Sequence, residues 1–126
     1  MKLARVFVVL FLSLVAQTGW AQRVAAPEPS RGLMPNPTRG KPLYEANCAT
    51  CHGESLTGTD KGPAFLHRVY VPEHHGDAAF QLAVRNGSRQ HHWKFGDMAP
   101  VPGLSTDDVA HITAYVRARQ RRAGVQ

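Results

Sequence analysis

The sequence predicts a small all-α protein with three main helices, and three observations lead to this fold class. The chain has 126 residues, which is room for one ordinary domain. Apolar residues recur at helical spacing in three separate stretches, each bounded by residues that begin or end helices. No alternating strand pattern persists long enough to support a sheet. Loops rich in Gly, Pro and His connect the predicted helices.

The first predicted helix runs from Arg39 to about Cys51. Within it, Tyr44, Cys48 and Cys51 recur at positions i, i+4 and i+7, which lie along one face of a helix. This pattern places both cysteines of the chain on a single helical face.

The second predicted helix covers about Asp77–Asn86. Asp77 is the expected N-cap, and Gly87 provides a stop after the last apolar residue. Its apolar residues are Phe80, Leu82, Ala83 and Val84. An acid at the start and a glycine after the end are the signals expected of a short helix.

The third predicted helix has the clearest signals. Ser105 is the expected N-cap, and Asp108 lies three residues on, in the position of a capping box. The expected buried stripe consists of Val109, Ile112 and Val116, with Tyr115 beside it. We expect His111 to lie on the surface, opposite much of this stripe. The C-terminal end of this helix carries four arginines, whose positive charges suit the negative end of the helix dipole: Arg117, Arg119, Arg121 and Arg122.

The N-terminal segment has the three parts of a secretory signal peptide. Lys2 and Arg5 form a charged start, Val6–Ala16 is an apolar run broken only by Ser13, and Gly19–Ala21 is a small-x-small cleavage pattern. The run is too short for a comfortable membrane span, which needs about 20 apolar residues. We therefore expect export to the periplasm with cleavage near Ala21; an uncleaved N-terminal anchor is the alternative.

Three further segments complete the predicted organisation after the signal peptide at 1–21. Residues 22–38 contain four prolines and little apolar periodicity, so we interpret them as a flexible leader. Residues 39–122 form the folded domain, and 123–126 a disordered tail. No membrane span is expected after cleavage, and the domain is expected to be a monomer.

The composition indicates that the side chains alone would form only a small hydrophobic core. The formal net charge is +6, and it falls to +4 once the signal peptide is removed. Hydrophobic residues fall from 43% of the chain to 37% of the remaining 105 residues. A chain of this size excludes a multidomain enzyme. Because the apolar side chains are few, we expect something other than side chains to contribute to the hydrophobic core.

Both cysteines lie in one five-residue string, Cys48-Ala49-Thr50-Cys51-His52. This is the Cys-x-x-Cys-His spacing of c-type haem attachment. Cysteines three apart on a helical turn point the same way, so both thiols can reach the two vinyl groups on one haem edge. His52 emerges on the same side and can place a nitrogen under the iron. A short-loop disulfide, a thioredoxin-like redox pair and a zinc site with further histidine ligands are the alternatives.

From Gly40 to Val116 the chain resembles the class I cytochromes c, small soluble proteins with one haem. The string Leu43–Gly53 reads like the family's haem-binding segment, and Phe95–Pro100 resembles the loop that delivers the sixth iron ligand. The resemblance implies a cytochrome c fold, with three main helices and loops around one covalently bound haem c. It also implies that the carbonyl of Pro63 accepts the proton of the iron-bound histidine, and that Tyr115 packs near Gly40 and Tyr44.

The resemblance nominates Met98 as the sixth ligand, and elimination among the methionines agrees. Met1 leaves with the signal peptide, Met34 lies in the leader, and Met98 lies in a loop bounded by Gly and Pro. Packing near the haem is expected for Tyr44, Trp93 and Phe95. Histidine ligation is the alternative, because His91 and His92 lie on the same loop as Met98. The roles of the pairs His74-His75 and His91-His92 stay open, with a solvated loop or weak metal binding as the choices.

Ligation by His52 and Met98 fills both axial positions of the iron, so a substrate finds no open coordination site. The sequence therefore predicts a single-electron carrier and not an enzyme. Its partners would be redox proteins that donate and accept electrons, such as a dehydrogenase or a terminal oxidase or reductase. A five-coordinate or bis-His haem protein acting as an enzyme or gas sensor is the alternative. No basic face for nucleic acid is evident, and the positive charge is expected to steer the domain towards acidic partners.

Overall fold

The computed structural model describes residues 25–125, and over this range it confirms the all-α fold class. The helices are α1 (Pro37–Asn47), α2 (Ala49–His52), α3 (Asp77–Asn86) and α4 (Thr106–Arg122), with one 3-10 turn at Arg68–Tyr70. The N-cap of α3 is Gly76, so the prediction of Asp77 as the N-cap was wrong; Asp77 is the first helical residue, where its negative charge suits the helix dipole. The sole strand-like feature of the described residues is an isolated antiparallel bridge. The predicted signal peptide lies outside the described residues. No helix within residues 25–125 has the length and apolarity to cross a membrane.

Helix α1 begins at Pro37, two residues inside the segment predicted as a leader. The Oδ1 atom of Asn36 accepts hydrogen bonds from the backbone N–H groups of Thr38, at 2.8 Å, and Arg39, at 3.4 Å. Asn36 is therefore the N-cap, and Pro37 occupies the first helical position, where a missing N–H costs nothing.

The single helix predicted up to Cys51 is divided into α1 and α2. Cys48 separates them with φ −123° and ψ −32°, which is outside the helical range. Its backbone N–H still donates to the Tyr44 carbonyl at 2.8 Å, which continues the hydrogen-bond pattern of α1 up to the break. The break comes directly at the first residue of the haem-binding motif.

Helices α1 and α4 pack closely at Gly40, where a Cβ atom would collide with the carbonyl oxygen of His111. Below this contact the rings of Tyr44 and Tyr115 lie 5.5 Å apart, as the resemblance implied for Tyr115. The core built around them includes Leu56, Phe65, Ile112 and Val116. This crossing fixes the position of α2, which follows directly from α1.

Helix α4 confirms the predicted cap but not the predicted surface position of His111. Ser105 and Asp108 form a reciprocal capping box. His111 is only 2% exposed, and its Nδ1 atom accepts a hydrogen bond from the backbone N–H of Asn36 at 2.9 Å. The prediction was wrong because a segment 75 residues away covers this face and satisfies the imidazole.

The described parts of the predicted leader and tail both contact α4. The backbone N–H of Ser30 donates to Asp107 Oδ1 at 2.7 Å. At the other end of the helix, the N–H of Val125 donates to the Gln120 carbonyl at 2.9 Å. Backbone hydrogen bonds therefore extend beyond both predicted boundaries of the domain.

Arg117, predicted to serve the helix dipole, is buried and joins α4 to the segment before α3. Its guanidinium donates to the carbonyls of Tyr70, at 2.7 Å, and His75, and its Nε donates to Asp77 Oδ1 at 2.9 Å. The guanidinium carbon lies 5.2 Å from the centre of the Phe80 ring. One side chain thus positions residues 70–77 against α4.

Candidate haem site

The two cysteines lie three positions apart on one turn of the backbone. The N–H groups of Cys51 and His52 both donate to the Cys48 carbonyl, at 3.2 and 2.9 Å. Cys48 is partly buried and Cys51 is exposed, and both are free thiols. Burial, together with the neighbouring Cys51, raises the pKa of Cys48 to about 11, so this thiol is protonated at neutral pH. Two unpaired thiols on one turn suit attachment to one edge of a cofactor.

His52 ends α2 and is held in one tautomer. Its Nδ1 atom lies 2.9 Å from the carbonyl oxygen of Pro63. A carbonyl can only accept a hydrogen bond, so Nδ1 carries the proton and Nε2 keeps its lone pair. Burial lowers the pKa of His52, with the Pro63 hydrogen bond opposing this effect, and the ring is only 8% exposed. A neutral imidazole with a free Nε2 is the form that binds iron.

The loop after α2 folds back to bring Pro63 to His52. The Gly58 N–H donates to the His52 carbonyl at 2.9 Å, and the Thr59 hydroxyl donates to the Cys51 carbonyl at 2.6 Å. The Thr59 N–H then donates to the Gly62 carbonyl at 3.0 Å. These bonds satisfy the carbonyls at the end of α2 and fix the residue before Pro63.

Met98 is held at the base of its loop by an antiparallel bridge with Ser88. The backbone N–H and C=O groups of Met98 both pair with Ser88, at 2.8 and 2.9 Å. Gly87 has φ +75°, and a Cβ atom there would collide with the Met98 carbonyl oxygen. Met98 is partly buried, whereas Met34 is 85% exposed. The structure therefore fixes the backbone of Met98 while leaving Met34 in solvent.

The aromatic residues predicted near the haem take different positions. The hydroxyl of Tyr44 donates to the Gly53 carbonyl at 2.7 Å, which braces the end of α2. Trp93 stacks on Tyr70 with ring centres 5.8 Å apart, and Phe95 is 41% exposed. The aromatic contacts of Trp93 and Phe95 are to rings outside the haem-binding motif.

Phe65 is the ring that contacts His52, and the sequence reasoning did not select it as a site residue. The two rings are stacked with centres 4.1 Å apart. Phe65 is buried among Tyr44, Tyr70 and Phe80, with ring centres 5.0 to 6.2 Å away. Its place two residues after Pro63 was the available signal, because a chain that returns to His52 carries the following residues with it.

Four histidines outside this site face one another in two pairs, which we call the histidine cluster: His74, His75, His91 and His92. The Nε2 atoms of His74 and His92 lie 3.0 Å apart, and those of His75 and His91 lie 3.3 Å apart. Burial and the neighbouring charges lower the pKa of His75 and of His92. The two sequence pairs are therefore one structural feature.

The family comparison agrees with the fold and the motif. The family model described as Cytochrome c matches residues 37–120. The chain therefore belongs to the cytochrome c family, whose members bind covalently attached haem c and transfer electrons. Searches of the curated proteins and of the solved structures found no match. The donor set fits the cofactor: two free thiols in the Cys-x-x-Cys-His motif and one imidazole with a free Nε2.

Proposed function

We propose that the chain is a class I cytochrome with a single haem, which carries single electrons in the periplasm. Cys48 and Cys51 would hold the haem through two thioether bonds, and His52 and Met98 would be the axial ligands. The observation that carries this proposal is the 2.9 Å contact between His52 Nδ1 and the Pro63 carbonyl, because it leaves Nε2 free for iron.

The protein residues would tune the cofactor in three ways. When bound, haem c supplies an iron that accepts and releases one electron. Pro63 keeps the His52 ring in a fixed tautomer and orientation, and Phe65 excludes water from one face of that ring. Met98, as a thioether ligand, would stabilise the reduced state and raise the reduction potential relative to histidine.

Two ligand residues held by backbone contacts favour electron transfer over catalysis. Met98 is fixed by the Ser88 bridge and His52 by Pro63, so both axial positions would be filled and would move little with redox state. The rings of His91 and His92 instead face His75 and His74, which supports Met98 as the loop's ligand. A site without an open position is suited to a carrier.

The N-terminal segment and the net positive charge of the chain support the proposed location and partners. The signal-peptide pattern of residues 1–21 supports export, and the remaining +4 charge supports docking to acidic patches on redox proteins. A dehydrogenase and a terminal oxidase or reductase are the classes of donor and acceptor that we propose. Association should weaken as salt is raised, because screening shortens the range of the attraction.

The decisive experiment is the absorption spectrum of the ferric protein and of its Met98→Ala variant. We expect the red charge-transfer band of methionine-ligated ferric haem in the parent protein and its loss in the variant, with a lower potential. Met34→Ala is the matched control, because Met34 is 85% exposed, and it should leave band and potential unchanged. A parent protein that lacks the band and binds carbon monoxide rapidly when reduced would instead support the enzyme or sensor alternative.

The mass of the purified, denatured protein tests the remaining parts of the proposal. A mass equal to residues 22–126 plus one haem supports cleavage near Ala21 and a single cofactor. A mass that retains residues 1–21 would support the N-terminal anchor, and a chain without covalent haem would contradict the proposed attachment.

A further inference from the structure

The histidine cluster joins two loops that are far apart in sequence. His74 and His75 follow the 3-10 turn, and His91 and His92 lie in the loop that leads to Met98. One ring nitrogen from each of His74, His75 and His92 lies within 4.8 Å of the others. His91 adds a fourth nitrogen 3.3 Å from His75 Nε2. Three imidazoles therefore converge at one place outside the proposed haem site, and His91 lies beside them.

Backbone carbonyls fix the tautomers of two of these rings. The Nδ1 atom of His75 lies 2.8 Å from the Val69 carbonyl, and the Nδ1 atom of His91 lies 2.7 Å from the Arg89 carbonyl. Because carbonyl oxygens only accept, both Nδ1 atoms carry protons. In the neutral rings both Nε2 atoms are then unprotonated, and their lone pairs face each other across 3.3 Å.

Two facing lone pairs repel unless a cation lies between them. From this arrangement we propose that the histidine cluster binds one divalent transition-metal ion of the Zn²⁺ or Cu²⁺ class. His74, His75 and His92 supply three imidazole ligands, and His91 supplies the fourth. Imidazole nitrogens suit these ions, and a ligand whose second nitrogen donates to a carbonyl is oriented for binding.

Two of the nitrogen separations are close to those of a small tetrahedral ion. Zinc binds imidazole nitrogen at about 2.0–2.1 Å, so two ligands of a tetrahedral site are about 3.3 Å apart. The His75–His91 separation is 3.3 Å and the His74–His92 separation is 3.0 Å. Other separations within the cluster reach up to 4.8 Å, so the rings must rotate to surround an ion, and the exposure of three of the four residues leaves them room to do so.

Both loops have supports that do not depend on a metal. Arg117 donates to the His75 carbonyl, which holds that side of the cluster against α4. In the opposite loop, the Gln90 N–H donates to Asp97 Oδ1 at 3.0 Å, and Gln90 Oε1 accepts from the Gly96 N–H at 3.1 Å. The ligands are therefore partly organised before an ion binds, which lowers the entropic cost of binding.

The ion would also connect the Met98 loop to the segment held by Arg117. His92 lies six residues before Met98, and the loop between them has no regular secondary structure. A metal bridge would reduce the motion of this loop. The site itself uses none of the proposed haem ligands, so its test is independent of the proposed function.

The test is Zn²⁺ binding by the ferric protein, purified without a histidine tag and measured by titration calorimetry. We expect one ion per chain. The pair variants His91→Gln with His92→Gln, and His74→Gln with His75→Gln, should each weaken binding by more than about tenfold, because both loops supply ligands. Electron paramagnetic resonance with Cu²⁺ should show coupling to several nitrogen nuclei, and both pair variants should reduce it.

His67→Gln is the matched control, because His67 is exposed and lies beside Trp93 but outside the cluster. It should bind Zn²⁺ as the parent does. The proposal is overturned if the parent binds no Zn²⁺, if His67→Gln weakens binding as much as the pair variants, or if either loop retains full affinity alone. The His91 and His92 substitutions lie in an exposed loop, so they decide the question even if the other pair variant does not fold.

Discussion

The His111 carbonyl in α4 lies against Gly40 in α1, and no side chain separates the two backbones. A Cβ atom at position 40 would overlap that carbonyl and approach the Ile112 nitrogen to 3.0 Å. The atoms in the way are helix backbone, which cannot rotate aside as a flexible side chain can. The crossing of α1 and α4, which positions the haem-binding motif, therefore requires glycine.

Gly40→Ala is expected to lower the free energy of unfolding by about 1–3 kcal/mol, because the helices must separate to admit the methyl group. Denaturant unfolding of the ferric protein measures this. Ala46→Ser, at an exposed position of α1, is the control and should change stability by less than about 0.5 kcal/mol. Equal effects of the two substitutions would contradict the close-contact argument.

Gly87→Ala should disturb the proposed Met98 ligation. Its Cβ atom would collide with the Met98 carbonyl, and alanine is also strained at φ +75°. Gly103→Ala separates these effects, because Gly103 has φ +85° but nothing within 4 Å of its Cβ. We expect the backbone strain to cost both variants about 1 kcal/mol of stability, and Gly87→Ala to lose more because of its collision. Only Gly87→Ala should weaken the red charge-transfer band; an unchanged band would show that the Ser88 bridge does not position the ligand.

Arg117→Met should lower the free energy of unfolding by about 2–4 kcal/mol, because it leaves the His75 carbonyl without its donor and the Tyr70 carbonyl with only Gln120 as a donor. Arg117→Lys should recover little of this loss, since an ammonium does not reproduce the guanidinium geometry. Thermal and denaturant unfolding measure both. Arg121→Met, at an exposed position of the same helix, should have little effect; a comparable loss there would contradict the proposed structural role.

The raised pKa of Tyr70 predicts that the folded protein loses stability at alkaline pH. Burial raises its pKa to about 12, above the ordinary value of 10.0, so the neutral phenol is favoured in the folded state. The contribution of the neutral Tyr70 phenol to the free energy of unfolding is fully present below pH 10, and it is lost as the pH rises from 10 to about 12. Tyr70→Phe should therefore flatten the stability profile in this interval, as measured by denaturant unfolding at successive pH values. A profile as steep as that of the parent would mean that other groups cause the loss.

Cys51→Ser should remove one of the two proposed thioether bonds. Under denaturing conditions we expect this variant to retain much less attached haem than the parent protein, because the serine hydroxyl does not form the corresponding bond. Denaturing gels stained for haem measure the attachment. Thr50→Ser, an exposed position in the same motif, should load normally. Full loading of Cys51→Ser would contradict attachment through both cysteines.

Helix α4 shows which parts of the fold the sequence could predict. The capping box at Ser105 and Asp108 and the contact of Tyr115 with Tyr44 are confirmed. The predicted surface position of His111 was wrong, and the assignment of Arg117 to the helix dipole did not foresee its buried hydrogen bonds. Both polar residues are buried because distant backbone groups satisfy them, and periodicity carries no information about such partners.

The site shows the same division between local and distant information. The Cys-x-x-Cys-His spacing predicted the shared turn of Cys48, Cys51 and His52, since these residues are within five positions. The stacking of Phe65 on His52 depends on how the intervening loop returns, and the histidine cluster joins residues 16 to 18 positions apart. Loop paths of this kind follow from tertiary packing, which the residue pattern alone does not define.

The bridge between Ser88 and Met98 separates the position of Met98 from the length of its loop. Both backbone hydrogen bonds lie at the base, and residues 89–97 extend beyond them. Insertions or deletions within this stretch change the tip without moving the base. The loop can therefore diverge in length and in the partner surface that it presents while Met98 keeps its place.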